Sequence, residues 1–137
     1  MKLALVDSSA FLALEDRSAR EHHRTLASMQ DLVRRGFGLL TTNFLFDEAY
    51  TLILSRLGRA RAVSWGVKLK QSTLVQLTRV TEEHEDVAWK IVLAHEDKDY
   101  SYTDATSFAV ALNLGIVDVL ALDRHFVQFG GFTVRPS

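Results

Sequence analysis

Short apolar runs alternate with longer segments of helical spacing along the chain. The short runs are rich in Leu and Val and cover residues 3–6, 38–41, 74–77, 117–122 and 132–134. The longer segments, with apolar residues every three or four positions, cover residues 9–35, 44–70, 82–95 and 102–114. The short runs predict strands and the longer segments predict helices, with a break near Gly58. Strands that alternate with helices indicate the α/β class, with a mostly parallel sheet covered by helices on both faces.

Carboxylates stand at the junctions between these elements. Asp7 follows the first strand, Asp123 follows the fourth, and Glu48 lies in the first turns of the helix after the second strand. Asp104 lies in the first turn of the helix that precedes the fourth strand. Because such a crossover helix runs antiparallel to the strands, its N-terminus lies over their carboxyl ends. The pattern predicts four carboxylates at one edge of the sheet, which is where open α/β sheets bind ligands.

Local capping is the alternative explanation for three of these acids. Residues 101–104 read Ser-Tyr-Thr-Asp, a capping box in which Asp104 can accept a hydrogen bond from the Ser101 amide. Asp7 and Asp123 can likewise cap the turns that follow them. Capping does not explain why the acids share one edge, since clustered carboxylates raise one another's pKa unless a cation compensates. A hard divalent cation, Mg²⁺ or Mn²⁺, binds carboxylates and suits phosphoryl chemistry.

Spacing alone does not decide the roles of Asp47, Glu48 and Ser9. Asp47 and Glu48 both lie at the margin of the polar face of their helix, so periodicity does not decide which of them faces the site. Asn43 is the expected N-cap of that helix. Ser9 either offers a hydroxyl near the cation or only begins the first helix.

Histidine spacing gives little support for a zinc site. No two of the five histidines are three or four residues apart, and we expect most of them at the surface. His125, close to Asp123, could contact substrate, but its position in a turn favours exposure to solvent. No P-loop is present, and Trp65 and Trp89 are expected in the core or at a partner contact rather than as base-stacking residues.

Length and composition predict one domain, residues 1–137, in the cytoplasm. With 47% hydrophobic residues, one proline and no linker-like tract, the chain can bury a single core and offers no point at which to divide it. The apolar segment at the start of the sequence is interrupted at Asp7, which indicates a buried part of the core rather than a signal or membrane segment. The absence of cysteine excludes disulfides and thiolate metal ligands and fits a reducing compartment.

Charge is segregated, although the formal net charge is only −1. Residues 49–81 contain no acid and carry several basic side chains, among them Arg56, Arg59 and Arg61, whereas residues 82–104 are rich in Asp and Glu. Two solvated helix faces of opposite sign would explain this pattern. The basic stretch also permits, without requiring, a nucleic-acid partner.

Four segments around the acids resemble, in this order, those of the PIN-domain nucleases, specifically the VapC-like toxins of toxin–antitoxin systems: LALVDSSAFLAL, LLTTNFLFDEAYTLIL, YSYTDATSFAVA and VLALDRHFVQFGG. The resemblance runs from Lys2 to the C-terminus. It implies a three-layer sandwich with a mostly parallel sheet of about five strands. It assigns the family's acidic residues to Asp7, Glu48, Asp104 and Asp123. It favours Glu48 over Asp47, because the family's glutamate usually precedes a small or apolar residue, here Ala49.

The resemblance also implies a function, that of a Mg²⁺- or Mn²⁺-dependent endoribonuclease whose products carry a 5′-phosphate and a 3′-hydroxyl. In this interpretation Asp7 and Asp104 bind the metal directly, and the other two acids complete the site. Two departures from the family pattern concern fine positioning and not the acidic set: Ser8 replaces a frequent Thr, and Ala121 replaces a frequent hydroxyl residue. A non-catalytic PIN scaffold that binds RNA or protein is the alternative function.

A cognate antitoxin is the protein partner that the family implies. The segments 9–35 and 44–70 carry many large apolar residues, and a surplus over what one sheet face covers would form a groove for an antitoxin helix. A basic side chain of the antitoxin would enter the acidic cluster and displace the metal. The alternatives are that these apolar residues pack into the protein's own core or form a homodimer contact.

Overall fold

The computed structural model describes residues 1–137 and contains five strands and seven helices. The strands are β1 (Leu3–Val6), β2 (Gly38–Thr42), β3 (Val75–Thr78), β4 (Asp118–Leu120) and β5 (Thr133–Arg135). The helices are α1 (Ser8–Glu15), α2 (His22–Arg34), α3 (Asn43–Leu57), α4 (Arg59–Gln71), α5 (Glu82–Ala94), α6 (Tyr102–Leu114) and α7 (His125–Phe129). None of the helices has the length and apolar character needed to cross a bilayer.

The strands form one parallel sheet in the order β3-β2-β1-β4-β5. At its centre, Leu5 of β1 pairs with Leu40 of β2 and with Val119 of β4. Helical crossovers connect the strands, as parallel pairing requires, and the carboxyl ends of all five strands therefore lie at the same edge. The predicted α/β class, with a parallel five-stranded sheet flanked by helices, is confirmed.

Helices cover both faces of the sheet and create two apolar layers. Because successive strand residues face opposite sides, Leu5 points into a cluster around Phe108 of α6, while Val6 points into a cluster that contains Trp65 of α4. Burial on both faces explains why the strand sequences are continuous apolar runs. Trp65 is a core residue, as predicted, whereas Trp89 on α5 is 55% exposed.

The first predicted helix is in fact two helices, α1 and α2, joined by residues 16–21. The carboxylate of Asp16, which ends α1, accepts hydrogen bonds from the Ser18 N–H and hydroxyl at 3.1 and 2.6 Å. This local turn offers the backbone an alternative to continuing the helix. The break predicted near Gly58 is confirmed, since Gly58 separates α3 from α4 with a φ of 91° that favours glycine.

Thr42, not Asn43, caps α3. Thr42 Oγ1 accepts a hydrogen bond from the Leu45 N–H at 3.0 Å. Asn43 is the first residue of the helix, and its Oδ1 accepts a hydrogen bond from the Val80 N–H at 2.8 Å. The predicted cap is therefore wrong, because the Asn43 side chain bonds the segment after β3 and not its own helix.

Candidate active site

Each predicted acid lies at the carboxyl edge of the sheet or near the start of a helix that begins there. Asp7 directly follows β1, and Asp123 lies in the short segment between β4 and α7. Asp104 is in the first turn of α6, and Glu48 is in the second turn of α3. The fold therefore collects all four acids at the edge predicted from the sequence.

Asp7 is a buried carboxylate with one oxygen that lacks a partner. Its Oδ2 accepts hydrogen bonds from the Ser9 hydroxyl at 2.5 Å and from the Ser9 N–H at 3.2 Å, which caps α1. The residue is 1% exposed, and its Oδ1 has no hydrogen-bond partner. Burial, followed by the charge of Asp123, raises the pKa of Asp7 from 3.8 to about 7. Asp7 thus caps a helix with one oxygen and presents the other to the site.

Glu48 reaches the site from α3. The Ser8 hydroxyl donates a hydrogen bond to Glu48 Oε1. The carboxyl group is half-buried, and burial, followed by the charges of Asp104 and Asp123, raises its pKa. Asp47 is exposed. Of the two acids between which periodicity did not decide, Glu48 is the one that lies with the cluster.

Asp104 belongs both to a capping box and to the acidic cluster. Its Oδ2 accepts a hydrogen bond from the Ser101 N–H, and its own N–H donates to Ser101 Oγ, both at 3.0 Å. The residue is 4% exposed. Burial raises its pKa, an effect that the Ser101 N–H and the adjacent His125 partly offset. The capping box holds this carboxylate in a fixed orientation at the start of α6.

Asp123 and His125 complete the edge between β4 and α7. Asp123 Oδ1 accepts a hydrogen bond from the His125 N–H at 3.0 Å, so this acid also caps the turn that follows it. The imidazole Nδ1 of His125 lies 2.5 Å from Asp104 Oδ2 and 3.8 Å from Asp123 Oδ1. One donor atom each from Asp104, Asp123 and His125 lies within 4.8 Å of the others. Asp7 and Glu48 lie outside that group of three.

Three histidines differ from their predicted exposure. His125 begins α7, a short helix that the pattern did not predict, and its side chain is only 33% exposed. His22 and His84 are buried: His22 bonds a backbone carbonyl, and His84 accepts a hydrogen bond from the Thr81 N–H in a capping box. The one sequence signal for His125 was its spacing of two residues from an acid that follows a strand.

The Ser9 hydroxyl links two parts of the site. It donates to Asp7 Oδ2 and accepts a hydrogen bond from the Leu122 N–H at 2.9 Å. The start of α1 is thereby joined to the segment that carries Asp123. Ser9 does more than begin a helix, because it fixes one acid relative to another.

Comparison with known proteins assigns the chain to a family. The family model of the PIN domain matches residues 4–131. The chain belongs to the PIN-domain family. This PIN domain is 34% identical, over 98% of its length and 100% of the relative, to the 23S rRNA-specific endonuclease VapC20 of two Mycobacterium tuberculosis strains. The resemblance to VapC-like toxins is thereby confirmed.

Two solved structures share the architecture of this PIN domain. The crystal structure of Mycobacterium tuberculosis VapC20, described as a toxin that cleaves the sarcin–ricin loop, has a TM-score of 0.85 at 31% identity, covering 98% of this chain and 100% of that one. VapBC2 from Rickettsia felis, bound to a DNA fragment from its promoter, has a TM-score of 0.74 at 5% identity and 97% coverage of both chains. At that identity, the second similarity concerns the fold alone.

The acidic edge of this PIN domain fits a divalent cation. No lysine or arginine forms an ion pair with Asp7, Glu48, Asp104 or Asp123. The unpartnered Oδ1 of Asp7 and the raised pKa values of Asp7, Glu48 and Asp104 are what burial and mutual repulsion produce without a compensating charge. Carboxylate donors of this kind suit Mg²⁺ or Mn²⁺.

Proposed function

We propose that this PIN domain is a divalent-cation-dependent endoribonuclease toxin that hydrolyses phosphodiester bonds in RNA, with 23S ribosomal RNA as its substrate. The observation that carries the proposal is the buried, unpartnered Oδ1 of Asp7 beside three further acids. The substrate is inferred from the full-length similarity to a relative named for its action on 23S rRNA.

The acids have different chemical roles in this proposal. A bound Mg²⁺ or Mn²⁺ supplies positive charge that polarises the scissile phosphate and lowers the pKa of the attacking water. Asp7 and Asp104 would be among the residues that hold this cation directly, and the Ser9 hydroxyl holds Asp7 in position. Glu48, oriented by Ser8 and with a raised pKa, accepts a proton from the attacking water. The products carry a 5′-phosphate and a 3′-hydroxyl.

Basic residues on α3 and α4 offer a docking surface for the RNA backbone. Arg56 and Arg59 are exposed at the junction of the two helices and take part in no ion pair. Arg61 forms one ion pair, in which its Nη2 lies 3.9 Å from Oε1 of Glu15 on α1. Arg56 is eight residues from Glu48 on the same helix, which separates them by about 12 Å along its axis. Arginines at that distance can neutralise phosphates that flank the scissile bond.

An apolar groove between α1, α2 and α4 is the proposed antitoxin site. Its volume is 440 Å³. Its apolar lining consists of Phe11, Leu14, Leu26, Met29, Trp65, Leu69, Leu74 and Val75. An amphipathic antitoxin helix would bury its apolar face in this groove. A basic side chain from the same antitoxin would relieve the repulsion among the acids and so displace the cation. A homodimer contact is the competing occupant.

Cleavage assays with active-site variants test the proposal. The wild-type protein is incubated with ribosomes and Mn²⁺ or Mg²⁺, and new 23S rRNA ends are mapped by primer extension. We expect Asp7→Asn and Asp104→Asn to lose cleavage while remaining folded in thermal melts, because Asn keeps the size and capping ability of Asp but not its charge. Asp47→Asn is the matched control: it removes the exposed acid next to Glu48 and should leave cleavage intact.

Two outcomes would contradict the proposal. Undiminished cleavage by both Asp7→Asn and Asp104→Asn would mean that these acids only cap helices. RNA binding by the wild-type protein without cleavage of any RNA, in the presence of either cation, would favour the non-catalytic scaffold.

A further inference from the structure

His125 is the only nitrogen donor among the acids of the site, and the proposed function does not use it. Its Nδ1 lies 2.5 Å from Asp104 Oδ2, yet this contact lacks hydrogen-bond geometry, and the buried Nδ1 has no hydrogen-bond partner. A buried polar atom without a partner is costly. The Oδ1 of the almost fully buried Asp7, at the same edge of the sheet, also lacks a hydrogen-bond partner. Two unpartnered polar atoms at this edge point to a site that binds a ligand.

We propose that His125 binds the active-site cation through Nδ1, alongside Asp104 and Asp123, and that this nitrogen makes the site prefer Mn²⁺ to Mg²⁺. The inference rests on the proposed function, because it concerns the same cation. The three donor atoms lie within 4.8 Å of one another. With bonds of about 2.1 Å in octahedral geometry, adjacent ligands are about 3.0 Å apart and opposite ligands about 4.2 Å apart. One ion would therefore contact all three atoms once the 2.5 Å separation between His125 Nδ1 and Asp104 Oδ2 widens by about 0.5 Å.

The selectivity follows from ligand chemistry. Mg²⁺ is a hard cation that binds oxygen ligands and retains much of its water. Imidazole suits first-row transition metals, and divalent manganese also accepts carboxylate and water ligands. Replacing one oxygen ligand by an imidazole nitrogen therefore weakens Mg²⁺ binding relative to Mn²⁺ binding.

Neighbouring groups hold the imidazole towards the carboxylates. The backbone N–H of His125 is bonded to Asp123 Oδ1, which fixes the start of α7. The ring packs edge to face on Tyr100 with 5.7 Å between centroids, and Tyr100 packs in the same way on the buried Phe108 at 5.0 Å. The nitrogen is thus positioned from the protein core, which lowers the entropic cost of binding an ion.

Electron paramagnetic resonance of bound Mn²⁺ identifies the ligand without reference to RNA cleavage. Mn²⁺ is added to metal-free protein at pH 8, because metal ligands must be deprotonated. Electron spin echo envelope modulation should detect a ¹⁴N coupling in the wild-type protein, which ¹⁵N-labelled histidine converts to a ¹⁵N coupling. His125→Phe keeps a ring against Tyr100 and should abolish this coupling. Titration with Mn²⁺, and competition with Mg²⁺, should show a Kd for Mn²⁺ raised about tenfold and a nearly unchanged Kd for Mg²⁺.

His95→Phe is the matched control. The His95 ring also contacts Tyr100, at 5.6 Å, but its Nδ1 lies 2.8 Å from the Ile91 carbonyl oxygen and not beside the acids. This variant should keep the nitrogen coupling and both dissociation constants. His125→Gln serves if the Phe variant does not fold: an amide oxygen replaces the nitrogen, so the coupling should disappear and the preference for Mn²⁺ should shrink.

The possible failures are distinguishable. Bound Mn²⁺ without nitrogen coupling in the wild-type protein would overturn this inference and leave the proposed function intact. Persistence of the coupling in His125→Gln would overturn it as well. A folded wild-type protein that binds no Mn²⁺ at all would contradict the proposed function itself, and the inference with it.

Discussion

Asp7→Asn should stabilise the metal-free protein at neutral and alkaline pH, although it removes a proposed catalytic group. The Asp7 carboxyl is 1% exposed, and burial together with the charge of Asp123 raises its pKa from 3.8 to about 7. Above pH 7 the folded protein therefore contains a buried, ionised carboxylate that no cation compensates. Asn has the same shape, can still accept the Ser9 hydrogen bonds, and carries no charge.

The magnitude follows from the difference between the folded and unfolded pKa values. A rise from 3.8 to about 7 corresponds to about 4 kcal/mol, at about 1.4 kcal/mol per pH unit. Because the pKa of Asp7 is higher in the folded than in the unfolded protein, the folded protein retains this contribution of about 4 kcal/mol in full below about pH 4, where the carboxyl group is protonated in both states. This contribution is lost as the pH rises towards 7. The Asn variant does not titrate, so its advantage should increase between pH 4 and pH 7 to at most about 4 kcal/mol.

Thermal or urea unfolding in excess chelator, measured from pH 4 to pH 8.5, checks this expectation. For a chain of this size the gain corresponds to a Tm increase on the order of 10 °C at pH 8 and to little change at pH 4. Mn²⁺ should raise the Tm of the wild-type protein more than that of the variant, because only the wild-type site retains its full charge. Asp47→Asn, at an exposed position, should show no comparable pH dependence. A Tm for Asp7→Asn that equals or falls below the wild-type value at pH 8 would refute the reasoning.

Three further predictions concern RNA, the site and the partner. Reversing the charge of Arg56, Arg59 and Arg61 should weaken RNA binding. In a salt titration, the slope of log affinity against log salt concentration should become shallower by about 2. An unchanged slope would mean that these side chains are only solvated. Ser9→Ala should lower the free energy of unfolding by about 1 kcal/mol in urea melts and should reduce cleavage. It leaves the part-buried Leu122 N–H without its acceptor and removes the hydroxyl that holds the Asp7 carboxylate. Full activity would contradict this. Co-expression with the product of a short open reading frame immediately upstream of this gene, the usual position of an antitoxin gene in such systems, should yield an inactive complex. Leu26→Asp, in the apolar groove, should disrupt that complex while leaving cleavage intact. An active dimer with no co-purifying partner would exclude the antitoxin groove.

The sheet and its acidic edge could be predicted because both depend on patterns that are local in the sequence. A strand buried on both faces is a short apolar run, and in a parallel sheet the residue after each run falls at a known edge. Asp7 and Asp123 were placed by this argument alone, and Asp104 by the direction of a crossover helix. The choice of Glu48 over Asp47 needed the family resemblance, since both fit the helical spacing equally well.

The features that the sequence did not predict depend on tertiary contacts. Asn43 is a good helix cap by type, but its side chain bonds the Val80 N–H instead. The break at residues 16–21 contains neither glycine nor proline and is made by a side-chain turn at Asp16. His125 is recognisable only when α6 and α7 meet, because its contact with Asp104 joins two segments that are 21 residues apart in the chain.

The capping box at Asp104 has an evolutionary consequence. Aspartate and asparagine codons differ by one base, and an asparagine at this position can still accept the hydrogen bond from the Ser101 N–H that organises the start of α6. A single point mutation could therefore silence the proposed nuclease while leaving the start of α6, and with it the fold, intact.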